Sequence, residues 1–309
     1  MFKILAPNAL GLFCSQSELI ELTLTHGFRG LHVEFDGFFE QVTSKGIDYA
    51  VRFIKSAPVK ITSTELPIQW TGDDASFETE LARLPKVLEM IRPLNCRALV
   101  TTVMPGCDSR PYHENFEMHR QRLSQIAAAI EAFDMKLGVG FEIPFGEDDR
   151  YAQPFIKEPE ALVTLVKTCL SNNVGLVVDA WRWTVAGGSF DLLSEFQAER
   201  IVDVRIADLP ADWNPNRITE ADRLLYGETG AVDGPALLKA LKGRQYKGGV
   251  TPIASTSQFA DVRSDGAVKK ASASVDQFFS GSATANEATA DAASQTDDAT
   301  EEVSTAEST

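Results

Sequence analysis

The stretch Val174-Gly-Leu-Val-Val-Asp-Ala-Trp-Arg-Trp-Thr-Val185 decides the fold. An apolar run ends abruptly in a carboxylate, Asp179, and two aromatic rings, Trp181 and Trp183, then flank a cation, Arg182. Apolar residues at successive positions read as a strand buried on both faces, which implies a parallel sheet covered by helices. Burying a carboxylate is costly, so Asp179 is expected at an open rim of that sheet, where ligands bind.

Outward from this strand, the chain alternates strand and helix in both directions. Strands are expected at Phe2–Ala6, Leu31–Phe35, Val59–Thr64, Arg97–Val103, Lys136–Ile143, Val174–Asp179, Ile201–Ala207 and Gly248–Ile253. Ser15-Gln-Ser-Glu18 has the spacing of a capping box and opens the first helix, with Leu19, Ile20 and Leu22 on its apolar face. Further helices are expected at Gly46–Ser56, Phe77–Ile91 with Pro85 as a kink, Glu114–Phe133, Pro159–Ser171, Ser189–Glu195, Pro235–Lys242 and Gly266–Phe279. Eight strands alternating with eight helices over this length give an α/β chain folded as a (β/α)8 TIM barrel, residues 1–279. A doubly wound sheet is the main rival, but no Gly-x-Gly-x-x-Gly follows the first strand.

After Phe279 the composition changes to Ala, Ser, Thr and acids. Residues 280–309 bury too little apolar surface to offset chain entropy and read as a disordered acidic tail. That tail holds seven acids and no Lys or Arg, so of the net charge of −15 about −8 belongs to the barrel. An acidic barrel repels phosphodiesters and anionic lipids, which argues against nucleic-acid or membrane partners. The four cysteines (Cys14, Cys96, Cys107, Cys169) form no Cys-x-x-Cys pair and read as reduced thiols. With no signal peptide and no membrane-length apolar stretch, a cytoplasmic protein is expected. A homo-oligomer is left open.

In such a barrel the site is built at the C-terminal ends of the strands. The polar residues expected there are Glu34, Asp36, Glu65, Asp108, Arg110, Glu142, Asp179, Arg182, Arg205, Asp208 and Glu228. Converging carboxylates suit a divalent cation or a polyol, although Asp36, Glu65 and Asp108 also read as solvated loop acids. Trp181 and Trp183 are placed to stack on a sugar ring or simply to pack. His113 and His119, six apart on a helix, are expected at the surface, His26 at a helix end, and His32 in a satisfied core or rim position.

Six segments, taken together and in order, resemble the sugar phosphate isomerase/epimerase family of the xylose isomerase-like TIM barrel superfamily. They are Glu114-Asn-Phe-Glu-Met-His-Arg120, Lys136-Leu-Gly-Val-Gly-Phe-Glu142, Val174–Trp183, Val202-Asp-Val-Arg-Ile-Ala-Asp-Leu-Pro210, Arg223-Leu-Leu-Tyr-Gly-Glu-Thr-Gly-Ala-Val-Asp233 and Tyr246-Lys-Gly-Gly-Val-Thr-Pro252. The resemblance implies a Mn²⁺, Mg²⁺ or Zn²⁺ ion held by Glu, Asp, His and Glu from strands five to eight. The two glutamates would shuttle a proton beside a carbonyl that the ion polarises.

This sequence departs from that set. The strand-five glutamate aligns with Glu142 or with Gly140, and Asp179 is kept. A substrate-binding histidine gives way to Arg182, the strand-seven histidine to Arg205, and the strand-eight glutamate to Ile253. Arginine stays protonated and cannot ligate. No resident metal or other cofactor is therefore expected. Two readings follow. In one, the barrel binds a small sugar or sugar-phosphate-like ligand through Glu34, Trp181, Arg182, Arg205 and Glu228, with the metal-dependent chemistry lost or altered. In the other, it remains an isomerase or epimerase with Glu142 and Asp179 as acid and base, and Arg182 and Arg205 hold an anionic substrate. A DNA-repair nuclease on the same fold would need a histidine-rich metal cluster that the chain lacks.

Overall fold

The computed structural model describes residues 1–144 and 151–281. Eight parallel strands form the barrel: β1 Phe2–Leu5, β2 Gly30–Leu31, β3 in two pieces (Lys60–Ile61 and Thr64–Glu65), β4 Ala98–Val103, β5 Lys136–Phe141, β6 Val174–Asp179, β7 Ile201–Ile206 and β8 Gly249–Pro252. The first piece of β3 pairs with β2 and the second with β4, while β1 pairs with both β2 and β8, so the sheet closes on itself. Every residue of β6 is buried, as its uninterrupted apolar run requires. Gly175 stands within that run for a steric reason: a Cβ there would lie 2.2 Å from the Arg200 carbonyl oxygen.

The α-helices cover the barrel close to where helical spacing predicts them, whereas the helix expected at Ser189–Glu195 is a 3-10 helix over Phe190–Glu195. Ser15 Oγ accepts the Glu18 N–H and opens helix Gln16–Thr25, and helix Asp74–Ile91 runs through Pro85. Strand two is shorter than its alternating sequence suggests. Regular pairing ends at Leu31, although the His32 and Val33 N–H groups still reach the Leu5 and Ser63 carbonyls, and a helix over Phe35–Lys45, with Glu34 at its N-cap, precedes the expected one at Ile47–Ser56. Asp36 in its first turn suits the helix dipole, and Phe38 and Val42, four apart, share one face. The last helix, Ser264–Ser280, ends at Gly281 in a left-handed conformation. The tail expected at 280–309 thus lies, from residue 282 on, outside the described residues. Among the described residues no helix is long and apolar enough to cross a membrane.

His119 is not at the surface. It belongs to the buried stripe Asn115, His119, Arg122, Leu123 and Ile126 of helix Tyr112–Glu131, whereas His113 is exposed. Its Nδ1 lies 2.8 Å from the Asn115 carbonyl oxygen, and its ring packs edge-on against Trp70 at 5.0 Å and beside Phe155 at 4.6 Å. Burial, reinforced by the nearby cations Arg122 and Arg110, pushes its pKa down to about 4. The folded state therefore favours neutral imidazole. The resulting stability is full above about pH 6.5 and is lost as pH falls towards the folded value. His119→Phe is expected to flatten the fall in melting temperature between pH 6.5 and 4. An unchanged pH profile in that variant would remove His119 from the account.

Candidate functional site

At the C-terminal mouth, the end of β6 sets the geometry. Asp179 is both the last strand residue and the N-cap of a short helix, Ala180–Val185, and its Oδ1 accepts the Arg182 N–H at 3.3 Å. This turn of chain aims the Arg182 side chain back over the barrel, where Nη1 donates to the Phe141 carbonyl at 3.1 Å. Arg182 Nη2 lies 2.8 Å from Glu142 Oε2 and 3.0 Å from Glu220 Oε1, and Nε lies 3.7 Å from Asp179 Oδ2. Arg182 is thereby surrounded by three carboxylates.

Asp179 has a second and closer cation. Arg223 donates from Nη1 to Oδ1 at 3.1 Å and from Nη2 to Oδ2 at 2.8 Å, a two-pronged ion pair in which both side chains are buried. Its Nε bonds Glu220, and its guanidinium stacks 4.4 Å above the Trp181 ring. Burial would raise the Asp179 pKa, but Arg223 and then Arg182 outweigh it and hold the carboxyl below its ordinary range. Glu142 lies beside Arg182; burial, with the charges of Glu220 and Asp179, outweighs Arg182 and Arg223 and pushes its pKa up.

Arg205 stands opposite Asp179 in the register of β6 and β7. Its Nε donates to Asp203 Oδ2 at 2.9 Å, and neither terminal nitrogen donates to any acceptor among the described residues. It lines a cavity of about 280 Å³ together with Glu65, Thr101, Thr102, Gly140, Asp179 and Arg182. Across this cavity, His32 Nε2 lies 2.6 Å from Glu65 Oε1 and its Nδ1 lies 2.9 Å from Ser63 Oγ. That hydrogen bond and the His32 charge, with help from Arg205, overcome burial and lower the Glu65 pKa. A larger cavity, about 1280 Å³, opens at the other end of the barrel beside Lys60, Arg97 and Lys136. In this fold that end serves stability, and the chemistry belongs at the strand C-termini.

The structure brings Glu142, Asp179, Arg182 and Arg205 together and leaves three of the expected binding residues apart. Trp181 is fully buried beneath Arg223, so neither ring face is open to a sugar, and Trp183 packs on Phe190 at 5.8 Å. The short helix causes this: from Ala180 the side-chain period is no longer that of a strand. Glu34 stands at the N-cap position of a helix beside a second depression, which adjoins the Arg205-lined cavity through Glu65 and Leu66, and Glu228 turns back onto the Leu225 N–H at 3.3 Å. Asp208 is not a rim acid either. It is wholly buried and accepts the N–H groups of Leu209, Gly227, Thr229, Gly230 and Val232 at 2.8–3.2 Å. Arg223 and Glu220 were not singled out as site residues from sequence. The available signal was Asp179 itself, because a buried carboxylate demands a cation.

The residues present do not fit a divalent ion. The four positions that the resemblance assigns to one carry Glu142 or Gly140, Asp179, Arg205 and Ile253, and both Asp179 oxygens are engaged by Arg223. A guanidinium about 4 Å from such an ion opposes it by roughly 8 kcal/mol at an effective dielectric of about 20. Among the described residues, no group of three or more His, Cys, Asp or Glu is arranged to hold a metal.

Residues 20–256 match the family model described as xylose isomerase-like TIM barrel. No curated protein matches significantly. Among solved structures, a xylose isomerase domain protein from Alicyclobacillus acidocaldarius superposes with a TM-score of 0.79 at 21% identity, covering 91% of this chain and 99% of that one. The IOLI protein with a bound zinc atom gives 0.78 at 18% identity, covering 91% and 98%. A D-psicose 3-epimerase determined in the presence of D-fructose gives 0.64 at 13% identity, covering 91% and 100%. At these identities the likeness is one of fold.

Proposed function

Since the chain belongs to the xylose isomerase-like TIM barrel family, we propose that its C-terminal mouth binds a small sugar or sugar-phosphate-like ligand, with metal-dependent proton transfer lost or altered. The observation that carries this reading is the Arg223–Asp179 fork, flanked by Arg182 between Glu142 and Glu220. Guanidinium groups stand where a cation would be gripped, and each acid that could grip one is already paired. The carbohydrate class is supported by epimerases among the structures that share the fold. The free cysteines suit a reducing, cytoplasmic setting.

A second reading keeps the proton transfer. Glu142, its pKa raised by burial, is the better base of the two, whereas Asp179, held ionised with both oxygens occupied, is a poor one. Titrating the protein with ketoses and sugar phosphates in deuterated water separates the two readings. Binding without deuterium incorporation at carbon is the expected result. Exchange that disappears in Glu142→Gln would establish the enzyme instead, and an absence of any binding would sink the ligand site.

A further inference from the structure

Three guanidinium groups meet at the mouth, and among the described residues Arg205 is the one whose terminal nitrogens both lack an acceptor. Arg223 donates from Nε and both Nη atoms, and Arg182 is held by Glu142, Glu220 and the Phe141 carbonyl. Arg205 donates from Nε to Asp203, has no acceptor for its two terminal nitrogens among the described residues, and lines the cavity with 23% of its side chain still accessible. Two parallel N–H groups on one guanidinium edge match the two oxygens of a carboxylate.

Resting on the reading of this mouth as a ligand site, the geometry points to a narrower ligand class: a small polyhydroxy carboxylate, gripped at its carboxylate by Arg205. Charge selects the carboxylate over a phosphate. Arg205 is already matched by Asp203, and Glu65 and Asp179 lie within its electrostatic reach, so no surplus positive charge remains to hold a dianion. A singly charged group meets less of this opposition. Hydroxyl groups on the rest of the ligand find Glu65, Thr101 and Thr102 across the cavity. Thr101 Oγ1 accepts the Trp70 indole N–H at 2.8 Å, which leaves its own proton to donate. Size sets the length of the chain. At ~30 Å³ per water, 280 Å³ holds roughly nine waters' worth of matter, which suits an acid of about four or five carbons.

Calorimetric titration of the full chain with D-erythronate, D-ribonate, erythritol, ribitol and D-erythrose 4-phosphate tests this. The two acids are expected to bind at least ~10-fold more tightly than their alditols and than the phosphate. Arg205→Gln should remove that preference, so that each acid binds no more tightly than its alditol. Because that variant strands Asp203, the double variant Asp203→Asn/Arg205→Gln is measured beside it and should behave alike. Equal binding of acids and alditols, tighter binding of the phosphate, or a preference that survives loss of Arg205 would each overturn the carboxylate assignment while leaving the ligand site standing. Failure of all five compounds to bind would overturn both.

Discussion

Asp179→Asn is expected to destabilise the barrel by about 3–5 kcal/mol, because it removes the negative partner of a buried guanidinium and leaves the cation in place. Arg223 would face a neutral amide with one acceptor oxygen in place of the carboxylate and keep only the half-exposed Glu220 as a charged partner, and Arg182 would lose its third carboxylate. For a domain of this size that loss lowers the melting temperature by on the order of 10 °C. Deleting the partner as well should recover much of it, so Asp179→Leu/Arg223→Met is expected to melt closer to the parent than Asp179→Asn does. The pH dependence has a definite sign. The folded pKa of Asp179 lies below its unfolded value, so its contribution is full above about pH 4 and is lost as pH falls through the folded value. The gap between parent and variant should therefore close only in acid. Equal melting of parent and Asp179→Asn at pH 7 would show that the fork does not hold the barrel mouth.

The second large effect lies at Asp208. Its buried carboxylate gathers five backbone N–H groups and ties the segment Gly227–Val232 to the end of β7. Asp208→Ala leaves those donors without their acceptor. Water can reach some of them only if the loop opens, so a cost of about 3–5 kcal/mol is expected. The same loop carries Glu220 and Arg223, and its release should loosen the pairing of Asp179 as well. Hydrogen exchange reads this directly: amides 227–232 should lose protection in Asp208→Ala while those of β5 and β6 keep theirs. Retained protection across the loop would mean that other contacts hold it.

The barrel was legible because its evidence is local. An apolar run such as Val174–Val178 has few ways to be buried, and the helical spacing of Phe77, Leu84, Val87 and Leu88 points to one face. Strand two was misjudged because Leu31-His-Val-Glu-Phe35 alternates over five residues, while the helix that follows recruits Phe35 from it. The site was legible only in part. Asp179 and Arg182, three apart, announce themselves, and the strand registry places Arg205 beside them. Arg223 reaches Asp179 from 44 positions away through a loop whose shape depends on Asp208, and no periodicity carries that information. Trp181 misled for a related reason. One residue past the strand the chain turns helical, and a side chain expected to point outwards is directed into the core.

The central claim is that arginine side chains occupy the coordination space of a divalent cation. Crystals grown or soaked in MnCl2, with data collected at the manganese edge, test it most directly. The account predicts no anomalous peak within bonding distance of Asp179 or Glu142, with both Asp179 oxygens still held by Arg223. A manganese ion ligated by Asp179 and Glu142, with Arg182 and Arg223 swung aside, would contradict it.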